Sequence, residues 1–431
     1  MSITYWKDDS TMQSQAFIFS GQGTQYWGMG QKLLKESTTG KKYLDLANQV
    51  LDFDLNDILF GTDKNLINQT RYTQPALVTL EVAQYFELLD RVDLNPVVMA
   101  GHSLGEYAAL VCSNAVSFEE VIQLVAIRGT LMERSSNLEG IMVSIREMDT
   151  EVLKKIIDHA SESGKKVCLS NLNGIQNNVI SGFAPDVKEV VEIIEKHGGV
   201  GLYLNVKNAF HSPLMKDANF EFQKELEKIQ FRKPTIDLLS NSDGLPYKNG
   251  SDIENKLSLQ MINPVDWVST CQYICNSGAD MVIEVGAKSQ LKKMFLKDFP
   301  DTPVYSLDDI DDAQDIKKKL DEQGNEWQNQ TEYSFIGRVL GVIASTQNRN
   351  WDNEEYEQEV IKPYKNFVQA SQENEEINDQ EDVLTIIKQL KRILDVKKVP
   401  VEEQVERVEE LLIKSNFQGF ANAVLAEVYD Y

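Results

Sequence analysis

Apolar positions along the chain fall into two periods, and the switches between them mark the elements. Ala16-Phe17-Ile18-Phe19 is an unbroken apolar run of strand length, closed by Ser20-Gly21-Gln22-Gly23. Val97-Val98-Met99-Ala100 closes on Gly101, and Met281-Val282-Ile283-Glu284-Val285 closes on Gly286. Short runs that are apolar on both faces suit buried strands of a parallel sheet. Helical spacing fills the intervals. One helix opens at Tyr72-Thr73-Gln74-Pro75-Ala76, with the proline near its first turn, and continues through Leu77, Leu80 and Phe86. Another covers Val121 to Met132.

From Gly140 the pattern changes. Ile141–Ile145 reads as a strand, Glu151–His159 as a helix, Val167–Leu169 and Asn178–Ile180 as strands, Asp186–His197 as a helix and Val200–Leu204 as a strand. This βαββαβ order is the ferredoxin-like arrangement. Residues 140–204 therefore form a small subdomain inserted into an α/β core made of 1–139 and 205–310. Beyond it, 311–431 reads as an acidic linker followed by a mainly helical extension. The linker contains Leu307–Asp312 and Lys317-Lys318-Lys319. Tyr333–Thr346 is apolar and should pack back on the core. Ser371–Asp382 is acidic and reads as disordered. Val383–Leu394 and Val401–Lys414 read as two amphipathic helices available to the core or to a partner.

Charge narrows the partners. The net charge is −24 over 431 residues, which argues against nucleic acid and anionic membranes. Residues 311–431 carry 26 acidic and 14 basic side chains, and residues 1–310 carry 41 and 29, so each part contributes −12. No apolar run approaches the roughly 20 residues of a membrane-spanning helix. Met1–Gln15 is polar and lacks a signal-peptide apolar region, so the expected location is cytoplasmic. The four cysteines form no Cys-x-x-Cys pair, and the four histidines form no zinc-binding spacing, so no metal is expected.

The chemistry centres on Gly101-His102-Ser103-Leu104-Gly105, between an apolar strand and a helical start at Glu106. This is the nucleophile-elbow pattern Gly-x-Ser-x-Gly. A serine on a sharp strand-to-helix turn projects its hydroxyl out of the sheet, and the flanking glycines remove Cβ atoms that would clash. Gly21-Gln22-Gly23 is not followed by Lys-Ser/Thr, which excludes a phosphate loop. It suits a loop that presents a backbone N–H beside the serine. His159 and His197 lie in charged surroundings near helix ends, and His102 should point away from the Ser103 hydroxyl. That leaves His211 as the best candidate base. Arg128 sits inside an apolar helical stretch, where an ion pair, a snorkelling side chain or a bound anion would account for it.

Together these motifs carry a resemblance. Gly21-Gln22-Gly23-Thr24-Gln25, Gly101–Glu106, Arg128, Ala209-Phe210-His211, Gln260 and Glu284-Val285-Gly286 occur in the order seen in malonyl-CoA:acyl carrier protein transacylases and in the acyltransferase domains of polyketide synthases. The resemblance covers about residues 15–310. It implies an α/β-hydrolase-like core with a parallel sheet, carrying the ferredoxin-like subdomain. It implies Ser103 as nucleophile, His211 as base and Gln260 as the residue that orients His211 through an oxygen acceptor. The backbone N–H groups of Gln22 and Leu104 correspond to the oxyanion hole. Arg128 corresponds to the arginine that binds the malonate carboxylate, and His102 and Asn173 join the substrate-binding candidates. Phe210 resembles the malonyl-selective version, leaving little room for a branch at C2. Ala287 stands where the family often has proline.

The implied reaction is malonyl transfer from malonyl-CoA, as substrate and without a cofactor, to the phosphopantetheine thiol of an acyl carrier protein. It would supply a polyketide or fatty acid synthase. Asn348–Tyr356 and Ile361–Tyr364 resemble the C-terminal element of free-standing acyltransferases that serve polyketide synthase modules. An acyl hydrolase clearing carrier-protein thioesters is the alternative, and Arg128 argues against it. A non-catalytic docking protein would not need Ser103, His211 and the loop glycines.

Overall fold

The computed structural model describes residues 13–92, 94–134, 139–206, 208–328, 333–346, 348–350, 352–372, 380–415 and 417–429. In chain order its strands are β1 (Gln15–Phe19), β2 (Pro96–Gly101), β3 (Gly140–Arg146), β4 (Val167–Leu172), β5 (Asn177–Phe183), β6 (Val200–Tyr203), β7 (Asp237–Leu239), β8 (Val265–Asp266), β9 (Met281–Val285) and β10 (Val304–Ser306).

Five strands form a wholly parallel sheet in the order β10-β9-β1-β2-β7. Both faces are covered, as the unbroken apolar runs require. Phe17, Phe19, Met99, Ile283 and Val285 enter one core, and their neighbours Ala16, Ile18, Val98, Ala100 and Val282 enter another, which is the two-residue alternation of a strand. The register pairs Phe19 with Gly101 on one side and with Val285 on the other. The loops after β1, β2 and β9 therefore leave the sheet side by side at its carboxyl end, where open α/β sheets bind ligands.

The second sheet has the order β6-β3-β5-β4-β8. Its first four strands come from the β-α-β-β-α-β segment over residues 140–203, with β3 antiparallel to β5 and β6, and β4 antiparallel to β5. The fifth, β8, was not anticipated. It has two residues, pairs parallel with β4, and ties this sheet to a distant stretch of the chain.

Three expectations change. Pro75 lies in the second turn of the helix Thr70–Leu89, not near its first. The linker is the helix Ile310–Gln328, which buries Ile316 and Leu320 in the main core. Lys292 also bonds Asp312 there. Tyr333–Ser345 buries Phe335, Ile336, Val339 and Ile343 in a separate cluster, with Val383, Ile387, Leu390, Val408 and Leu412 from two later helices. It reaches the main domain near its C-terminal end, where Asn114 Nδ2 donates to the Ala344 carbonyl at 3.0 Å. The helices Gln380–Val396 and Val401–Lys414 thus spend their apolar faces on this cluster. Most of the stretch read as disordered, residues 373–379, lies outside the described residues.

The two cores set different tolerances to truncation. A chain ending after Gln328 should stay folded, because it keeps Ile316 and Leu320. A chain ending at Asp309 loses both buried side chains and should lose roughly 4 kcal/mol or more, at about 2–5 kcal/mol for each deleted buried aliphatic. Denaturant titration of the two truncations distinguishes them, and equal stabilities would contradict the assignment of this helix to the main core.

Candidate functional site

Ser103 follows β2 at φ 50°, a left-handed conformation that is rare for a residue with a side chain. Close packing enforces the turn. A Cβ on Gly101 would stand 1.9 Å from the Gly105 carbonyl carbon, and one on Gly105 would stand 2.2 Å from the Phe19 carbonyl oxygen. The next helix, Gly105–Cys112, begins directly behind the serine. Asn241, just past β7, fastens the elbow. Its Oδ1 accepts from Ser103 N at 2.6 Å, and its Nδ2 donates to the Gly101 carbonyl at 2.6 Å.

Ser103 Oγ lies 2.7 Å from His211 Nε2, and His211 Nδ1 lies 2.8 Å from the Gln260 carbonyl oxygen. The carbonyl can only accept, so Nδ1 carries the proton and Nε2 presents a lone pair to the serine hydroxyl. Burial, and then the charge of Arg128, push the His211 pKa down to about 3. The ring is neutral at physiological pH and can receive a proton. His211 is itself at φ 54°, so both members of this pair sit on left-handed backbone.

The acceptor that orients His211 belongs to the main chain of Gln260. The Gln260 side chain is occupied elsewhere. Its Oε1 accepts from Arg128 Nη2 at 2.9 Å, and its Nε2 donates to the Ser103 carbonyl at 3.0 Å and to Glu106. Arg128, 1% exposed, also donates from Nη1 to Gln74 Oε1 at 2.9 Å, and its Nη2 reaches to 3.4 Å from Ser103 Oγ. Its two close partners are therefore neutral amides. Arg128 also lies over the Tyr107 ring, 5.2 Å from its centre. The Tyr107 hydroxyl is close enough to act on the charge, yet neither it nor Arg128 Nε makes a well-formed hydrogen bond. The nearby carboxyl of Glu106 accepts from Tyr247 Oη at 2.6 Å and Asn241 N at 3.0 Å, and burial raises its pKa to about 7.

The Gly21-Gln22 loop packs directly on the elbow. A Cβ on Gly21 would stand 2.5 Å from the His102 carbonyl oxygen, and His102 N donates to the Phe19 carbonyl at 3.0 Å. Gln22 and Leu104 thus flank Ser103 from adjoining loops. His102 turns away from the Ser103–His211 pair. Its Nε2 meets Asn173 Oδ1, in the loop between β4 and β5, at 2.8 Å, and its ring meets Trp267 edge-on. Phe210 is buried in the main core beside His211, and its carbonyl accepts from Ser181 Oγ at 3.0 Å. Ala287 is fully buried. Among the described residues no group of three or more His, Cys, Asp or Glu side chains could hold a metal ion.

Gln74, Asn241, Glu106 and Tyr247 were given no role by the sequence reading. The only signal for Gln74 and Asn241 was an amide next to an otherwise apolar segment. This arrangement can activate a serine hydroxyl, stabilise an oxyanion from two backbone N–H groups, and receive an anionic substituent at Arg128.

The acyl transferase domain model matches residues 16–326, and the chain belongs to that family. The malonyl CoA-acyl carrier protein transacylase of Bacillus subtilis is 32% identical over 302 residues, covering 70% of this chain and 76% of that protein. The crystal structure of the Clostridium perfringens malonyl CoA-acyl carrier protein transacylase matches with a TM-score of 0.69 at 30% identity, covering 73% of this chain and 99% of that one. A complex of a type II PKS acyl-carrier protein with its malonyl-transacylase matches with a TM-score of 0.67 at 29% identity, covering 72% of this chain and 99% of the matched one. No helix among the described residues is long and apolar enough to cross a membrane.

The pH dependence of acylation follows from the His211 environment. Its lowered pKa keeps the base neutral as pH falls through the ordinary histidine range, so kcat/KM for acylation should show no acid limb near pH 6.5. Removing the Arg128 charge removes the second cause of that shift. In Arg128→Ala the acid limb should therefore move to higher pH, while burial still holds it below 6.5. Rapid-quench acylation between pH 4 and 8 reads both, and an identical acid limb in the two proteins would contradict the electrostatic coupling.

Proposed function

We propose that the chain transfers malonyl groups from malonyl-CoA to the phosphopantetheine thiol of an acyl carrier protein, by way of a malonyl ester on Ser103. The observation that carries this reading is a buried guanidinium 3.4 Å from the Ser103 hydroxyl and held by two neutral amides. A desolvated cation of this kind favours an acyl group that brings its own carboxylate.

His211 Nε2 takes the Ser103 proton as Oγ attacks the thioester carbonyl. The tetrahedral oxyanion accepts from the N–H groups of Gln22 and Leu104, with the N-terminus of the Gly105–Cys112 helix adding favourable potential. As the C–S bond breaks, His211 returns the proton to the CoA sulfur. The carrier thiol then gives its proton to His211 and attacks the ester carbonyl. When the C–O bond breaks, that proton restores the Ser103 hydroxyl. Gln260 orients His211 through its carbonyl, Arg128 clamps the malonyl carboxylate with two parallel N–H···O bonds, and Phe210 limits branching at C2. His102 and Asn173 line the approach where the two sheets meet. The cycle consumes malonyl-CoA as substrate and calls on no cofactor.

The same reading names the parts. Residues 1–139 and 205–310 form an α/β-hydrolase-like acyltransferase core, and 140–204 form a ferredoxin-like subdomain, supported by the strand order β6-β3-β5-β4. Residues 311–431 form the extension, whose first helix packs on the core. The enzyme would supply either a fatty acid or a polyketide synthase, and the matched complex with a type II PKS acyl-carrier protein supports the second. The C-terminal segment around Asn348–Tyr356 favours a free-standing enzyme serving polyketide synthase modules in the cytoplasm. A hydrolase of uncharged acyl chains would gain nothing from Arg128 and is not favoured.

Intact mass after incubation with malonyl-CoA should show a malonyl adduct that is absent in Ser103→Ala and slowed about 10²–10⁴-fold in His211→Ala. Arg128→Ala leaves the malonyl carboxylate desolvated without its partner. It should lose malonyl transfer by roughly 10²–10³-fold or more, from a cost of about 3–5 kcal/mol. Acetyl transfer should stay level or rise, and Arg128→Lys should rescue only in part. Equal losses for malonyl-CoA and acetyl-CoA would make Arg128 structural. Faster release of acetyl groups to water than transfer of malonyl would favour the hydrolase.

A further inference from the structure

Behind the Gly21-Gln22 loop lies a buried acid that the mechanism above does not use. Glu81, on the helix Thr70–Leu89, is 0% exposed. Its Oε1 lies 2.8 Å from Ser20 Oγ, and its Oε2 has no partner. Ser20 Oγ lies 3.3 Å from Thr24 Oγ1, which donates to the Gly21 carbonyl at 2.9 Å. Ser20 and Thr24 bracket Gln22. The space for these groups is reserved, because a Cβ on Gly286 would stand 2.0 Å from Ser20 Oγ and 3.0 Å from Glu81 Oε1.

Counting hydrogens sets the direction of the chain. Three links join Glu81, Ser20, Thr24 and the Gly21 carbonyl, but the two hydroxyls supply only two hydrogens. A hydrogen bond across the 3.3 Å Ser20–Thr24 link therefore draws the third hydrogen from the carboxyl group. A carboxylate with one oxygen bare inside the protein would also be poorly stabilised. The ionisable groups facing it are Glu284 on β9 and Cys112 on the Gly105–Cys112 helix, and both are anions when charged. Burial first, and then Glu284, push the Glu81 pKa well above the carboxylate range.

The end of the chain is what matters for the site. The Gly21 carbonyl and the Gln22 N–H belong to one trans peptide plane and point in opposite directions. A hydroxyl that holds the carbonyl therefore fixes the N–H. We propose that Glu81 is a positioning residue that acts as a neutral carboxylic acid, donating to Ser20, which donates to Thr24, which holds the Gly21 carbonyl and so aims the Gln22 N–H at the oxyanion; this rests on the oxyanion role given above to Gln22.

The test is single-turnover acylation by malonyl-CoA in full-length Glu81→Ala, Ser20→Ala, Thr24→Val and Glu81→Gln proteins, with thermal unfolding of each. Losing an oxyanion donor outright costs about 10²–10³-fold in kcat, so misaiming it should cost on the order of 10–100-fold. The loss should fall on kcat and leave KM unchanged. The double variant Glu81→Ala/Thr24→Val should be no slower than the slower single, because both cut one chain. Glu81→Gln keeps a neutral donor and should run near the wild-type rate, at a constant ratio from pH 6 to 8. Glu81→Gln as slow as Glu81→Ala, additive losses, or losses confined to KM or to thermal stability would each overturn the proposal. If Glu81→Ala does not fold, the contrast between a fast Glu81→Gln and a slow Thr24→Val decides. A wild-type protein that takes no malonyl group on Ser103 would instead overturn the reading beneath. Normal wild-type acylation with normal Thr24→Val kinetics would overturn this proposal alone.

Discussion

The Arg128 guanidinium is removed from water, bonded by the amide oxygens of Gln74 and Gln260 and flanked by Tyr107. Much of the site is arranged around that fact. A charge held by neutral dipoles keeps most of its field, which falls on the Ser103 hydroxyl and the His211 ring. The same field that prepares an anion site also helps keep the base unprotonated. Gln260 links the two effects, with its side chain on Arg128 and its carbonyl on His211 Nδ1. A change at residue 260 that spares the backbone would disturb the cation before it disturbed the base.

The left-handed backbone at Ser103 and His211 is a cost that the surroundings must offset. At Ser103 the offset is visible in Asn241, which binds the serine N–H and the Gly101 carbonyl at once. The Gly101 and Gly105 contacts add a steric limit, since no side chain fits at either position. The elbow is thus held by packing and hydrogen bonds supplied by β1, β2 and the end of β7. Their parallel register is what brings the loops together.

The buried strands and the elbow were legible because short apolar runs ending in glycine admit few other readings. Ser103, His211 and Arg128 were legible as residue types, and family resemblance gave them roles. The partners were not. Gln74 and Asn241 matter through contacts across 54 and 138 residues of sequence, and Gln260 acts on His211 through an atom that every residue possesses. The helix Ile310–Gln328 read as a linker because six aspartates and three lysines in and just before it hide the spacing of Ile316 and Leu320. β8 is two residues long and leaves no pattern to detect.

The charge of the extension acquires a physical meaning once its core is seen. Apart from Ile310–Gln328, which packs on the main core, its helices spend their apolar faces on one another, so acidic side chains are what they can offer to solvent. Glu402, Glu406 and Glu409 are exposed on Val401–Lys414. Beyond that first helix the extension also meets the main domain at Asn114 and at Arg232, whose Nη1 lies 3.4 Å from the Asn348 carbonyl. Ser103, in contrast, lies just past the carboxyl end of β2, beside that of β1. The extension is thus anchored through side chains outside the Ser103–His211–Arg128 site.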